Sequence, residues 1–311
     1  MLPASERKVV LVTRRTRLDE LLARHHTREQ AKFYVEHLGA DFDDYVAEHD
    51  TYRTAQAQVL ARLREHGRFQ VLERRLVPNF LFGPEDVVVV LGQDGLVANT
   101  MKYLDGQPLV GVNPDPARWD GVLLPFTPVD VGRLLPAVLA GGQGTRAVTM
   151  ARAELANGES LHAVNDLFIG PKSHTSARYQ IELGCYQEVQ SSSGVIVSTG
   201  LGSTGWMRSV FTGAVAVAEM VREESLAWQF QGRSWEDETL EFAVREPFPS
   251  RSSQATLMCG RVLAGDRLVM TSMMAEGGVI FSDGVEADYL EFNAGARVEI
   301  AAATRRGCLV V

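Results

Sequence analysis

The sequence predicts an α/β N-terminal domain with a parallel sheet, followed by a β-rich, β-sandwich-like C-terminal domain. Three observations predict it. The first half alternates short β-branched runs with helical stretches. The segment Gly141-Gly142-Gln143-Gly144 is a flexible break at which the pattern changes. Beyond it, strand-like segments follow one another with a single strong helix among them.

The elements follow in order. Val9 to Thr13 is a β-branched run that reads as a first strand. A polar stretch leads to a long helix from Asp41 to His66, where Tyr45, Tyr52, Val59, Leu60 and Leu63 recur near helical spacing. Gly67 stops it. Val71 to Val77 alternates like a strand. Asp86 to Leu91 is a continuous apolar run of the kind buried in a parallel sheet, and Leu109 to Val112 is another. Right-handed crossovers would join them. The first domain is expected to span 1–140 and the second 141–311. In the second, strands are expected at Arg146–Leu155, Leu161–Ile169, Ser176–Leu183, Gly194–Ser198, Glu241–Arg245, Arg267–Thr271, Gly278–Ser282 and Arg297–Ala301, with a helix at Met207–Arg222.

Composition bounds the function. The chain has 311 residues, 45% hydrophobic and 23% charged, the balance of a globular protein. No segment carries the roughly 20 uninterrupted apolar residues of a membrane span. The start, Met1 to Lys8, is polar and lacks the pattern of a signal peptide, which leads to the expectation of a cytoplasmic protein. A net charge of −8 argues against a nucleic-acid partner. Cys185, Cys259 and Cys308 are far apart and odd in number, so they suggest neither a disulfide framework nor a zinc site. They are expected to be buried free thiols in a reducing compartment. The seven histidines show no metal spacing; Met270, Met273 and Met274 read as core filler.

Four segments could carry chemistry. Gly92-Gln93-Asp94-Gly95 follows a buried strand, where open α/β sheets bind ligands. Its glycines allow positive φ and close backbone approach, and its amides can form an anion-binding concavity. The bland reading is a strand-to-helix turn with Asp94 as N-cap. Thr199-Gly200-Leu201-Gly202-Ser203-Thr204-Gly205-Trp206 formally satisfies a dinucleotide fingerprint. No second strand ending in an acid follows, since Glu223, Glu224 and the irregular segment from Trp228 to Gly232 come next; a Rossmann site is therefore rejected. The hydroxyls of Ser203 and Thr204 still suit polar recognition, against simple N-capping. Asn165-Asp166 interrupts an otherwise apolar strand, which is costly unless both find partners. A bulge or a strand end is the plainer reading. Asp283-Gly284 after an apolar strand reads as a hairpin turn.

Together, in this order, the segments resemble the NAD kinase family. That family carries a G-G-D-G motif, a G-V-N segment, an N-E or N-D pair, a T-G-S-T-A-Y type motif and a late D-G. The matches here are Gly92-Gln93-Asp94-Gly95, Gly111-Val112-Asn113, Asn165-Asp166, Gly202-Ser203-Thr204-Gly205-Trp206 and Asp283-Gly284. The chain looks especially like the mitochondrial-type NAD kinases and their bacterial relatives. The supporting residues are Gly111 to Pro116, Asn165 to Gly170, Ser192-Ser193-Gly194, Trp206 and Arg245-Glu246-Pro247.

The resemblance implies a fold of the NAD kinase and diacylglycerol kinase-like superfamily, with the site in the cleft between the two domains and a C-terminal tail returning to the first. It implies transfer of phosphate from ATP or polyphosphate to the adenosine ribose 2′-hydroxyl of NAD. Asp94 would be the general base, Gly92, Gln93 and Gly95 would hold the donor phosphates, and Mg²⁺ would arrive with ATP. Asn165, Asp166, Thr204, Trp206, Ser209 and Asp283 would form the acceptor site, with Asn113 and Ser203 in support. The partners implied are ATP, NAD and further copies of the chain as a homodimer or larger homo-oligomer. Two residues depart from the family pattern: Gln93 replaces a glycine beside the phosphates, and Ser193 stands where many members have an aspartate. Two other readings stay open, a catalytically weak nucleotide-binding sensor and a lipid or sugar kinase of the same superfamily.

Overall fold

The computed structural model describes residues 6–223, 225–228 and 231–311. Met1 to Ser5, Glu224, Gln229 and Phe230 lie outside the described residues. The chain divides into two compact units, Met1–Arg146 with Cys308–Val311, and Ala147–Gly307.

The first unit contains β1 (Val9–Thr13), α1 (Arg17–His25), α2 (Arg28–His37), α3 (Phe42–His66), β2 (Phe69–Glu73), β3 (Val87–Leu91), α4 (Asp94–Met101), β4 (Pro108–Val112) and α5 (Val131–Leu139). The strands run parallel in the order β2-β1-β3-β4. Every residue of β1 and β3 is buried, which is why both read as unbroken apolar runs. The α3 face of Tyr52, Ala55, Val59 and Leu63 packs on the sheet together with α5. Asp41 caps α3 by accepting the Asp43 N–H, and Gly67 ends it at φ 93°.

The second unit contains β5 (Thr145–Leu155), whose first two residues belong to the first unit, then β6 (Ser160–Ala163), β7 (Asp166–Pro171), β8 (Ala177–Leu183), β9 (Tyr186–Ser192), β10 (Val195–Ser198), α6 (Trp206–Arg222), β11 (Leu240–Val244), β12 (Cys259–Val262), β13 (Leu268–Ser272), β14 (Gly278–Ser282), β15 (Val285–Glu291) and β16 (Arg297–Val310). One antiparallel sheet has the order β12-β11-β10-β7-β14-β15. It faces a second layer that contains β16, β13, β8 and β9, with β5 and β6 alongside. Ile169, Val197, Phe242, Tyr179, Met270 and Ile300 are among the side chains that fill the space between the layers. The end of β16 leaves this unit: Cys308 and Leu309 pair in parallel with Pro108 and Leu109 in the first.

Several expectations are corrected. The strand foreseen at Val71–Val77 is Phe69–Glu73; Arg74–Asn79 is a 3₁₀ turn containing Pro78, which has no N–H for a ladder. Leu161–Ile169 is two strands, because the N–H groups of Val164 and Asn165 bond to the Asp283 carboxylate instead of to a neighbouring strand. Cys185 and Cys259 are exposed and Cys308 is half-buried, so they are not buried thiols: Cys185 sits in the β8–β9 turn and Cys259 on the edge strand β12. Met273 is exposed, while Met270 and Met274 are core. Among the described residues, no helix is long and apolar enough to cross a membrane.

Candidate active site

In the first unit, β3 ends at Leu91 and the chain turns at once into α4. Neither Gly92 nor Gly95 adopts positive φ, so the turn does not use glycine for that purpose. The Gly92 N–H donates to the Val112 carbonyl at 3.2 Å and is therefore already committed. Gly95 is exposed, with open space where a Cβ would stand. Gln93 is the N-cap residue, with no side-chain cap bond, and its carbonyl accepts from Leu96 and Val97. Asp94 is thus the first residue inside the helix and not its cap. Its Oδ1 accepts the Leu123 N–H at 2.7 Å, and it is half-buried. Acidic charge at a helix N-terminus is also favoured by the dipole.

Leu123 belongs to the loop after β4, and the G-V-N motif shapes that loop. A Cβ on Gly111 would lie 1.9 Å from the Leu123 carbonyl oxygen, so only glycine lets the loop settle there. Asn113 is buried; its amide donates to the Trp119 carbonyl at 2.9 Å and its Oδ1 accepts from the Asp115 N–H at 3.0 Å. Asn113 therefore organises the loop whose amide meets Asp94.

In the second unit, Asn165 and Asp166 lie between β6 and the start of β7. The Asp283 carboxylate accepts three successive N–H groups here, from Val164 at 3.0 Å, Asn165 at 2.7 Å and Asp166 at 3.3 Å. Asp283 can reach them because Asp283 (φ 52°) and Gly284 (φ 71°) form the tight turn between β14 and β15. The glycine-rich turn seats on the same segment. Thr199 N–H donates to the Asn165 carbonyl at 2.9 Å, and its hydroxyl donates to the Val164 carbonyl at 2.6 Å. A Cβ on Gly202 would lie 2.0 Å from the Asn165 carbonyl oxygen, and one on Gly200 1.9 Å from that of Ser234. Those glycines therefore serve close backbone approach.

With the backbone of Asn165 and Asp166 fully engaged, their side chains make no hydrogen bond to the described residues. Asp166 is 8% exposed. Burial, and secondarily the neighbouring Asp283, pushes its carboxyl up to about 7. A buried carboxyl without donors is a group set up for a hydroxyl-bearing ligand or a trapped proton.

The other predicted residues divide. Ser203 is 2% exposed; its hydroxyl donates to the Gly200 carbonyl and accepts from the Arg233 N–H, so it holds the turn and does not face a ligand. Neither Ser203 nor Thr204 caps α6. Thr204 and Ser209 are exposed at the start of that helix. Trp206 stacks on Phe168 with centroids 5.8 Å apart, and the Arg245 guanidinium lies 5.5 Å from its ring. These three side chains, with Phe281, Lys172 and Ser193, line a cavity of about 620 Å³. Sequence reasoning missed Tyr52, whose hydroxyl donates to the Leu91 carbonyl at 3.1 Å, and Lys172. Neither carries a local motif that would have marked it.

No family model matches the chain. Curated relatives do. It is 25% identical to the human protein named NAD kinase 2, mitochondrial, with 93% of this chain and 80% of that protein aligned. It is 30% identical to the NAD kinase of Methylococcus capsulatus over 54% of this chain and 59% of that one. Among solved structures, yeast NADH kinase complexed with NADH superposes with a TM-score of 0.58 at 12% identity, covering 98% of this chain and 83% of the other. An NAD kinase from Archaeoglobus fulgidus in complex with ATP gives 0.55 at 14% identity, covering 98% and 93%. The two structures attest the fold. Over nearly its whole length the chain is similar to proteins named NAD kinase, and the five motifs stand in order on that framework.

Proposed function

We propose that this chain transfers a phosphate from ATP, or polyphosphate, to the 2′-hydroxyl of the adenosine ribose of NAD, giving NADP. The observation that carries the reading is the Asn165-Asp166 pair. Among the described residues neither side chain has a hydrogen-bond partner, and Asp166 is buried without a donor. A ribose supplies the missing hydroxyl, and the Asn165 amide supplies both a donor and an acceptor for an adenosine. Thr204, Trp206 and Ser209 contribute to the same acceptor, while Asp283 orders the segment that presents it.

Asp94 is the general base. As the 2′-oxygen bonds to the γ-phosphorus, the hydroxyl proton passes to the Asp94 carboxylate, and the bond to the bridging oxygen breaks to release ADP. The bond from Leu123 fixes one carboxylate oxygen and leaves the other for the proton. The amide of exposed Gly95, in the first turn of α4, meets a donor phosphate, and Gln93 sits beside it. Mg²⁺ would enter with ATP on the donor's phosphates and offset their charge. A homo-oligomer belongs to the same proposal, and sedimentation velocity reads it.

The test is a phosphate-transfer assay over dinucleotides, nucleosides, lipids and sugars. Turnover confined to NAD or NADH is expected. Turnover of a lipid or sugar in preference to either would overturn the reading. Dinucleotide binding with no transfer from any donor would make the chain a sensor.

A further inference from the structure

We infer that a circuit of charged and polar side chains in the first unit is a positioning device for Asp94, with Arg118 and Tyr52 as its two ends. The inference rests on Asp94 acting as the base. Its motivation is that the two routes leading away from the Asp94 turn close on each other.

One route starts at the Leu123 amide on Asp94 Oδ1. Leu123 lies in the loop folded by Asn113, and that loop carries Arg118. The Arg118 guanidinium makes a two-pronged pair with Asp44 on α3, at 2.6 Å and 3.2 Å. Asp44 is also bonded by Arg17 of α1 at 2.8 Å, and the two guanidiniums hold its carboxyl far below the usual carboxylate range, Arg118 most of all. Arg17 in turn grips Glu48, one turn further along α3. Glu48 is 3% exposed, and its other oxygen accepts from Arg14 at 2.9 Å. A buried carboxylate between two guanidiniums is compensated, so this node is fixed.

The second route starts on the other side of Asp94. Arg14 donates its own backbone N–H to the Tyr52 hydroxyl at 3.0 Å. That hydroxyl donates to the carbonyl of Leu91, the last residue of β3 before Gly92. Tyr52 thus ties the end of β1 to the end of β3. Strand order changes direction between these two strands, which is where open α/β sheets place ligands. The circuit therefore holds Asp94 twice: through Leu91 behind it, and through Leu123 at its carboxylate.

The half-exposed pair of Arg118 and Asp44 contributes little to global stability. What it constrains is the loop. A base displaced by a fraction of an ångström loses rate without losing substrate affinity. Arg118→Ala is therefore expected to lower kcat about fivefold or more while both KM values stay within about twofold and the melting temperature barely moves. Asp44→Ala, which also releases Arg17, should lose at least as much, and the double variant should lose no more than Asp44→Ala alone, since the Arg118 contact is already gone in it. Tyr52→Phe, which keeps the ring and removes the hydroxyl, should lower kcat in the same way. Amide hydrogen exchange at Leu123 should quicken in Arg118→Ala. The inference is overturned if kcat is unchanged in these variants, if the two single losses simply add, or if kcat falls only as far as the folded fraction does. A wild-type protein without transferase activity would instead sink the proposed function, and the exchange at Leu123 would still report whether Arg118 holds the loop.

Discussion

Asp283 accepts the backbone N–H of Asn165 at 2.7 Å, across 118 positions of sequence, and in doing so ends one strand and begins the next. A side chain thus takes over the role of a neighbouring strand for three residues. The consequence is a backbone held in place and two side chains left over.

Asp283→Ala removes an acceptor from three buried N–H groups. The expected cost is roughly 2–4 kcal/mol of stability, read by urea unfolding, together with a raised acceptor KM. Asp283→Asn keeps an oxygen and tolerates the positive φ, so it should recover about half of that loss. Equal losses in both variants would mean that charge, and not hydrogen bonding, orders the segment.

The Asp166 carboxyl, raised to about 7, makes stability depend on pH. Its folded value lies above its unfolded one, so its favourable contribution is complete below the ordinary carboxylate range and is lost as pH rises towards and through about 7. Thermal melts of the wild type and Asp166→Asn from pH 4 to 8 should show the wild type losing ground relative to the variant with rising pH. Parallel curves would contradict the burial argument. In the same pH range the acceptor KM should fall, as the ionised carboxylate becomes a better acceptor for a ribose hydroxyl.

Two glycines in the motifs should respond in opposite ways. Gly202→Ala places a Cβ 2.0 Å from a backbone oxygen and is expected to destabilise by roughly 2–4 kcal/mol or to prevent folding. Gly95→Ala meets nothing and replaces a helical glycine, so stability should rise slightly while the donor KM increases. A normal donor KM in Gly95→Ala would remove the phosphates from this turn.

Gln93 is extended, at φ −120°, so glycine gains nothing conformationally there. Any kinetic effect of Gln93→Gly must then come from the side chain. Higher activity or broader donor use, measured with ATP and polyphosphate, is expected. A drop with every donor would identify Gln93 as a ligand.

The fold was legible wherever burial was two-sided or periodic. Val87–Leu91 and the α3 face announce themselves, because the packing that selects them repeats along the chain. Leu161–Ile169 reads as one strand, with a bulge or strand end as the plainer reading of Asn165-Asp166; a strand end it is, and the partner that makes it, Asp283, is remote in sequence. Gly92 and Gly95 read as glycines for positive φ and close approach, yet neither has positive φ, and the close backbone approaches are those of Gly111 to Leu123, Gly200 to Ser234 and Gly202 to Asn165. Ser203 looked like a ligand-facing hydroxyl because sequence cannot say which way a buried hydroxyl points. The Tyr52 bridge was hidden for the same reason: a tyrosine on a core helix face looks like packing until the atom at its tip finds Leu91.

The measurement that tests the central claim most directly is transfer of the ATP γ-phosphate to NAD by the wild type and by Asp94→Asn, side by side. Asparagine keeps an oxygen for the Leu123 N–H and so leaves the loop in place, but it cannot take a proton. The expected result is formation of NADP by the wild type, a loss of about 100-fold or more in kcat for the variant, and nucleotide affinity within a few-fold. Asp94→Asn turning over at half the wild-type rate, or a wild type that phosphorylates no dinucleotide, would contradict it.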